Sequence, residues 1–449
     1  MPGKLQTITD LAGALEARTT TASDATERCL TAIAERDSEV NAYIAVFGDR
    51  ARADAQEADR EIAAGRYRGP LHGVPISLKD LIDVRGTATT AASRVRAQHV
   101  AAADAPIVSR LRKAGAIIVG KTNLHEFAFG TTNEDSAYGP VHHPLDASRS
   151  PGGSSGGSAA SVLADMAFAS VGTDTGGSIR IPAAACGLVG LKPALHEVAT
   201  EGVVPLSTTL DHVGPLCRSV ADAAIVHAVL SGQPNQTAIR ARDARGLRIG
   251  VLRDYFTTLL DPQVAQAFDR TCGELSNAGA ALEDVTIPHA GDIAPIYLHI
   301  VLSEAAAYHA ITLDSRALDY MPNVRIRLEM GRYILAEDYV RALRGRVLLT
   351  REVDAALAGR QALMLPSLAV PATRLGADTV KVGASEEPVR NITLRLTQLF
   401  NITGHPAITL PCGKTVDGFP IGVQVVGPPR DTPALLGVAA AVEATLGGI

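Results

Sequence analysis

Lysine is scarce in this chain of 449 residues. It stands at positions 4, 79, 113, 121, 192, 381 and 414, so arginine supplies most of the 42 basic residues. The skew makes any lysine set in an apolar run worth examining. Cysteine is rarer still: Cys29, Cys186, Cys217, Cys272 and Cys412 are odd in number, widely spread and without a CxxC pair. Neither a disulfide framework nor a zinc site fits that pattern. No uncharged run reaches the length of a membrane span, and the opening "MPGKLQTITDLAGALEA" has no apolar signal core. The expected location is the cytoplasm. A formal net charge of −5 gives no electrostatic reason to expect nucleic acid or an anionic membrane as a partner. Internal repeats and low-complexity tails are absent too.

What is present is ample core material, with 46% hydrophobic and 20% charged residues. The first seventy residues read as helices, because "TITDLAGALEA", "ASDATERCLTAIAERD" and "RARADAQEADREIAAG" place apolar residues three and four apart. From "GVPISLKD" onward, short apolar runs such as "AIIVGKT", "MAFASVGTD" and "LRIGVLRD" alternate with helical stretches. "ALMLPSLAVPA", "AITLPCG" and "IGVQVVG" add strands late in the chain. This alternation predicts an α/β fold with a buried, largely parallel or mixed sheet. The segment from about 240 to 360 is mostly helical but has strand candidates on both sides. It reads as an excursion from a single sheet, not as a second domain.

Two stretches cannot pack a core: "PGGSSGGSAAS" at 151–161 and "GTDTGGSIR" at 172–180. Disorder does not suit them, since "MAFASV" and "IPAAACGLVGL" bracket the second. A phosphate loop would need a lysine inside the glycine run or GxGxxG spacing. Gly153–Gly157 fits GxSxG with Ser155 as an elbow nucleophile, yet no acid and histidine are singled out downstream. The single "DTG" at 174–176 lacks the second carboxylate of an aspartic dyad. What remains is a backbone cradle whose N–H groups converge on a developing oxyanion. Ser178 is then the candidate nucleophile, and Lys79, at the end of "GVPISL", its candidate base. Lowering a lysine from about 10.4 to about 7–8 takes roughly 4 kcal/mol of differential desolvation, which burial among strands and hydroxyls can provide.

The blocks "GVPISLKD", "PGGSSGGSAAS" and "GTDTGGSIRIPAAACGLVGLKP" resemble, in order, those of the amidase signature family, with 75 residues from Lys79 to Ser154 and 24 from Ser154 to Ser178. "GKTNLHEFAFGTTNEDSAYGPVHHPLD", "LDHVGPLCRSVADAA", "FNITGHPAITLPCG" and "FPIGVQVVG" resemble further family segments, so the likeness covers nearly the whole chain and is weakest from about 240 to 390. It implies one large domain, a central mixed sheet covered by helices on both faces, divided into N-terminal helices (1–70), catalytic core (71–240), variable and mostly helical excursion (241–390) and return to the sheet (391–449). It also implies a Ser-cisSer-Lys triad: Ser178 as nucleophile, Ser154 as relay on a cis peptide and Lys79 as base. Ser155 would hydrogen-bond Lys79, and Thr175, Gly176, Gly177 and Ser178 would supply the oxyanion N–H groups. Asp174 and Arg180 are expected to pair structurally beside the nucleophile, and Phe129, Gly130 and Thr131 to line the acyl pocket. Tyr138 reads as a packing residue, and His72 and His125 as structural histidines. No metal or organic cofactor is implied.

The family includes fatty amide hydrolases, aryl acylamidases, peptide amidases, carbamate and urea hydrolases, and the glutaminase subunit of tRNA-dependent amidotransferases. The centre is closest to the last. However, the residue aligned with the acid that holds the glutamine ammonium is Leu394, with no Asp or Glu between Pro388 and Cys412, while Arg351 matches the arginine for the glutamine carboxylate. An uncompensated ammonium is costly. The expectation is therefore a free-standing hydrolase of neutral amides, including anilides and extending to carbamates (urethanes), working as a monomer or homodimer. The alternative is the glutaminase subunit. "MPNVRIRLEMGRYILAEDY" is either a lid or a plain surface helix.

Overall fold

The structure is a computed structural model that describes residues 7–234, 239 and 243–447. Its strands, in chain order, are β1 (Tyr43–Val46), β2 (Pro75–Lys79), β3 (Ile117–Thr122), β4 (Ala169–Asp174), β5 (Val189–Lys192), β6 (His212–Cys217), β7 (Arg248–Leu252), β8 (Ala281–Val285), β9 (Ala362–Pro366), β10 (Thr379–Val382), β11 (Ser385–Pro388), β12 (Ala407–Lys414) and β13 (Pro420–Val426). Eleven of them form one mixed sheet in the order β1-β3-β2-β4-β6-β5-β12-β13-β9-β7-β8, and β10 and β11 make a separate hairpin. β2 runs parallel to β3 and β4, and β7 parallel to β8 and β9; the strands between pair antiparallel. The expected mixed sheet in a single α/β domain is present.

Helices cover both faces, which is why the central strands read as unbroken apolar runs. Ile8–Glu16, Ala22–Val40, Gly48–Ala63, Val220–Leu230, Pro262–Asn277 and Thr432–Thr445 pack into one apolar layer. Ile293–Arg316, Pro322–Gly331 and Ala336–Leu357 pack into another. The two-residue repeat of the strands divides the layers: Met364 and Val425 join the first, while Leu363, Leu365 and Val426 join the second. Thr7 and Asp10 close a capping box on the first helix, and Thr21, Ser219, Asp261 and Asp431 cap others.

Three features depart from the sequence-based division. β1 interrupts the N-terminal helices; four residues between two helices carry too short a pattern to register. β6 holds Gly214 and Pro215 mid-strand, a composition that argues against a central strand. Besides β7 and β9, expected from "LRIGVLRD" and "ALMLPSLAVPA", the 241–390 segment supplies β8, so it completes one end of the sheet as well as making a helical excursion. The expected boundary at residue 240 falls outside the described residues.

Close backbone approach explains the first glycine-serine run. Its helix, Gly156–Leu163, lies against the sheet through Ser158–Thr122 (2.8 Å) and Ser161–Ser77 (3.1 Å) hydroxyl pairs. A Cβ on Gly157 would fall 2.3 Å from the Asn123 carbonyl oxygen. Just beyond β2, buried Asp80 meets buried Lys121 of β3 at 2.7 Å and accepts from Thr90 N–H at 2.9 Å. Lys121 also donates to Ala88 O and Thr89 Oγ1, both at 2.9 Å. Lys121→Met should lower the unfolding free energy by about 3–5 kcal/mol, because it leaves the Asp80 charge buried without its cation. Urea denaturation checks this; a loss under about 1 kcal/mol refutes it.

Candidate active site

Among the described residues three lysines have fully buried side chains: Lys79, Lys121 and Lys192. Lys121 has Asp80, and Lys192 donates to the Pro193 carbonyl oxygen at 3.0 Å. Lys79 has no ion pair. At the end of β2 its Nζ donates to Ser154 Oγ at 2.9 Å and to Thr173 Oγ1 at 2.8 Å. β2 and β4 are parallel neighbours, so their carboxyl ends lie side by side, the usual place for a site in such sheets. Burial pulls the Lys79 amine down to about 7, against the upward pull of Asp174 and Asp211.

Ser154 follows a cis peptide bond after Gly153. Its loop is held by the segment 123–133. His125 N–H donates to Ser154 O at 3.1 Å, and Gly156 N–H donates to Asn133 Oδ1 at 2.9 Å. A Cβ on Gly153 would fall 2.8 Å from Asn133 N and 2.9 Å from the Thr131 carbonyl carbon. The Ser155 N–H donates to Ser178 O at 3.3 Å, which joins the two glycine-serine stretches. The expected bond from Ser155 to Lys79 is not formed. Ser155 Oγ donates to the Thr173 carbonyl oxygen at 3.2 Å instead, so it steadies the residue whose hydroxyl does meet Lys79.

The second stretch turns around Asp174. Its carboxylate accepts from Gly177 N–H (2.8 Å) and Ile179 N–H (3.1 Å) and pairs with buried Arg180 at 2.9 Å. The structural pairing expected of these two residues is what forms. Arg180 also donates to Thr397 O (2.9 Å) and Asn401 Oδ1 (2.6 Å) and to Gln424. Burial alone would raise Asp174, but Arg180, Lys192 and Asn401 outweigh it and hold the carboxyl well below the usual range. One expected oxyanion donor is therefore engaged: the Gly177 N–H belongs to Asp174. The N–H groups of Thr175, Gly176 and Ser178, and the Ser178 hydroxyl, make no hydrogen bond among the described residues.

Two neighbours explain the glycines. A Cβ on Gly176 would fall 2.4 Å from the Tyr297 hydroxyl, and one on Gly177, whose φ is +137°, 2.2 Å from Thr397 Oγ1. Asp211 accepts from Thr175 Oγ1 at 2.6 Å and from Leu206 and Ser207 N–H, and burial raises it to about 6. A cavity of about 290 Å³ lined by Leu81, Ala128, Thr173, Thr175, Val204 and Asp211 opens beside this loop.

Phe129, Gly130 and Thr131 are buried next to the Ser154 loop, with His125 packed against Gly130 and paired to Asp135 at 3.2 Å. His72 pairs with Glu61 at 3.1 Å. Tyr138 is not a packing residue: its ring is exposed, and its carbonyl oxygen accepts from Asn41 in a surface turn. Leu394 is buried and Arg351 exposed. The segment read as lid or surface helix forms Pro322–Gly331 and is tied to the 126–129 loop, where Met321 N–H meets Glu126 and Arg327 meets Phe129 O. Tyr297 and Thr397 carry no motif signal; Thr173, Asp211, Asn401 and Gln424 lie within family-like blocks but without an assigned role.

A family model described as Amidase matches residues 24–436. A glutamyl-tRNA(Gln) amidotransferase subunit from Koribacter versatilis is 36% identical, with 97% of each chain covered. A Pseudomonas putida protein named amidase is 39% identical over 97% of this chain and 95% of its own. A crystal structure described as an amidase superposes with a TM-score of 0.93 at 36% identity, covering 98% of this chain and 100% of that one. Similarity of this extent, in sequence and in backbone, makes the chain a member of the amidase signature family, the serine hydrolases of amide carbon–nitrogen bonds.

Proposed function

We propose that Lys79, Ser154 and Ser178 form the catalytic triad of a free-standing amidase whose substrates carry no ammonium group. The observation that carries this reading is the buried Lys79 amine, hydrogen-bonded to two hydroxyls and to no carboxylate. Held to about 7, a large share of it is neutral near physiological pH. With Nζ neutral, a Ser154 proton can pass to its lone pair while Nζ–H stays on Thr173. Ser154 then takes the proton of Ser178, whose oxygen bonds to the acyl carbon. The oxyanion forms beside the free N–H groups of Thr175, Gly176 and Ser178. The proton returns through Ser154 to the leaving amine, and water cleaves the acyl-enzyme by the same route.

Anilides suit this centre because an aryl amine leaves readily, and a carbamate presents the same acyl carbon. The glutaminase alternative is disfavoured by two positions: buried Leu394 offers no charge to an ammonium, and exposed Arg351 lies on a helix surface. Identity to amidases and to amidotransferase subunits is nearly equal, so the pocket decides. The purified chain alone should hydrolyse a chromogenic acyl anilide. Glutaminase activity that appears only with added partner subunits would overturn this.

On an acyl 4-nitroanilide, kcat/KM should rise with pH through an apparent pKa near 7, because the protonated amine cannot accept a proton and activity is lost on the acid side. Ser178→Ala and Lys79→Met should each lose about 10³-fold or more in kcat with melting near that of the parent. A Lys79→Met enzyme within a few-fold of the parent refutes the base. Thr173→Val, which removes one of the two hydroxyls on Nζ, should cost about 10-fold in kcat, and Thr173→Ser should restore most of it. Equal rates in all three forms would leave Thr173 without a part in the reaction.

A further inference from the structure

Arg390 is the second residue of the helix Val389–Leu394, directly after the β10–β11 hairpin. Its Nε is buried without a hydrogen-bond partner, and among the described residues its guanidinium makes no ion pair. Arg327 approaches the same place, its Nη1 donating to Phe129 O at 2.6 Å. The two guanidinium carbons lie 6.0 and 5.9 Å from the centre of the Phe129 ring. Among the described residues neither has a carboxylate within ion-pair distance; burial together with the charge of Arg390 pulls Arg327 down to about 10, against the upward pull of Asp135. Buried Arg180, by contrast, has Asp174.

A cation over an aromatic ring gains about 0.5–2 kcal/mol. Desolvating an unpaired ion costs several kcal/mol. Arg390 is partly exposed with its Nε buried, so the ring contact alone does not offset its partial desolvation, and an anion would. Its fork of donors matches a carboxylate in a bidentate way. The position fits a substrate. Phe129 belongs to the loop that backs Gly153, and the charge of Arg390 acts on Tyr297, whose hydroxyl abuts Gly176. Arg390 thus lies near both the Phe129 loop and Tyr297, which presses on the stretch that carries Ser178.

We propose that Arg390, with Arg327 beside it, receives a carboxylate on the acyl portion of the substrate, so that the enzyme prefers monoamides and anilides of short dicarboxylic acids. This rests on the triad reading above. It narrows the expected neutral amide to one without an ammonium but with a carboxylate remote from the scissile bond.

The test compares the 4-nitroanilides of succinic acid and of 4-methylpentanoic acid, which share a shape and differ in charge. The parent enzyme should favour the succinyl substrate by about 10- to 100-fold in kcat/KM, the worth of one charge-assisted pair. In Arg390→Gln the ratio should fall to about one through a higher KM for the succinyl substrate, and Arg390→Lys should restore part of it. No preference in the parent, or a ratio unchanged by Arg390→Gln, overturns the proposal. So does a preference that appears only when the carboxylate sits on the aryl amine, as in an acyl 4-aminobenzoate. Turnover of neither anilide would count against the triad instead. Arg390 is then read directly: succinate should raise the melting temperature of the parent more than butyrate does, and Arg390→Gln should lose that difference. Equal shifts by the two acids refute the site.

Discussion

An amine sealed from water and met by hydroxyls, with every nearby carboxylate committed elsewhere, is the condition on which the rest of this centre depends. Lys79 keeps its proton affinity low because burial penalises the ammonium and nothing close restores it. A carboxylate at 4 Å would be worth about 4 kcal/mol at an effective dielectric of 20, roughly three pKa units, and would return the amine to its ordinary charged state. The two acids that do act on Lys79 are each engaged. Asp174 is held by Arg180 and by backbone N–H groups, and Asp211 by Thr175 and the 206–207 backbone.

That commitment also shapes the loop. The same carboxylate that pairs with Arg180 takes the Gly177 N–H and so bends the chain, leaving the amides of Thr175, Gly176 and Ser178 without partners among the described residues. Tyr297 and Thr397 press on the two glycines from outside, so no Cβ fits there. Sparse side chains at 175–178 follow from crowding by neighbours as much as from the need to expose backbone.

The sheet and most helices were legible because their signals are local: apolar periodicity and strand-length runs. Ser178 and Lys79 stood out as candidates from a glycine-serine stretch and a lysine ending an apolar run, whereas Ser154 was assigned only through the family resemblance. β6 escaped because Gly214 and Pro215 imitate a turn, and β1 because four residues cannot show a period. Ser155 was given the wrong partner, since two adjacent serines at a backbone bend point their hydroxyls to different groups: Ser154 to the Lys79 amine and Ser155 to the Thr173 carbonyl oxygen. Thr173, a residue ordinary for a strand, supplies the bond instead. Arg390 gave no signal, because its meaning lies in what is missing around it, and only packing reveals that.

The bonds from Arg180 to Thr397, Asn401 and Gln424 reach across more than two hundred positions, and Thr397 also donates to the Gly176 carbonyl oxygen at 2.6 Å. During synthesis the amine and both serines emerge from the ribosome long before those late residues do. Until the 397–424 segment docks, the loop that carries Ser178 lacks the clasp that fixes it. A nascent or truncated chain therefore lacks these bonds, and the 174–180 loop is fixed only in the finished sheet.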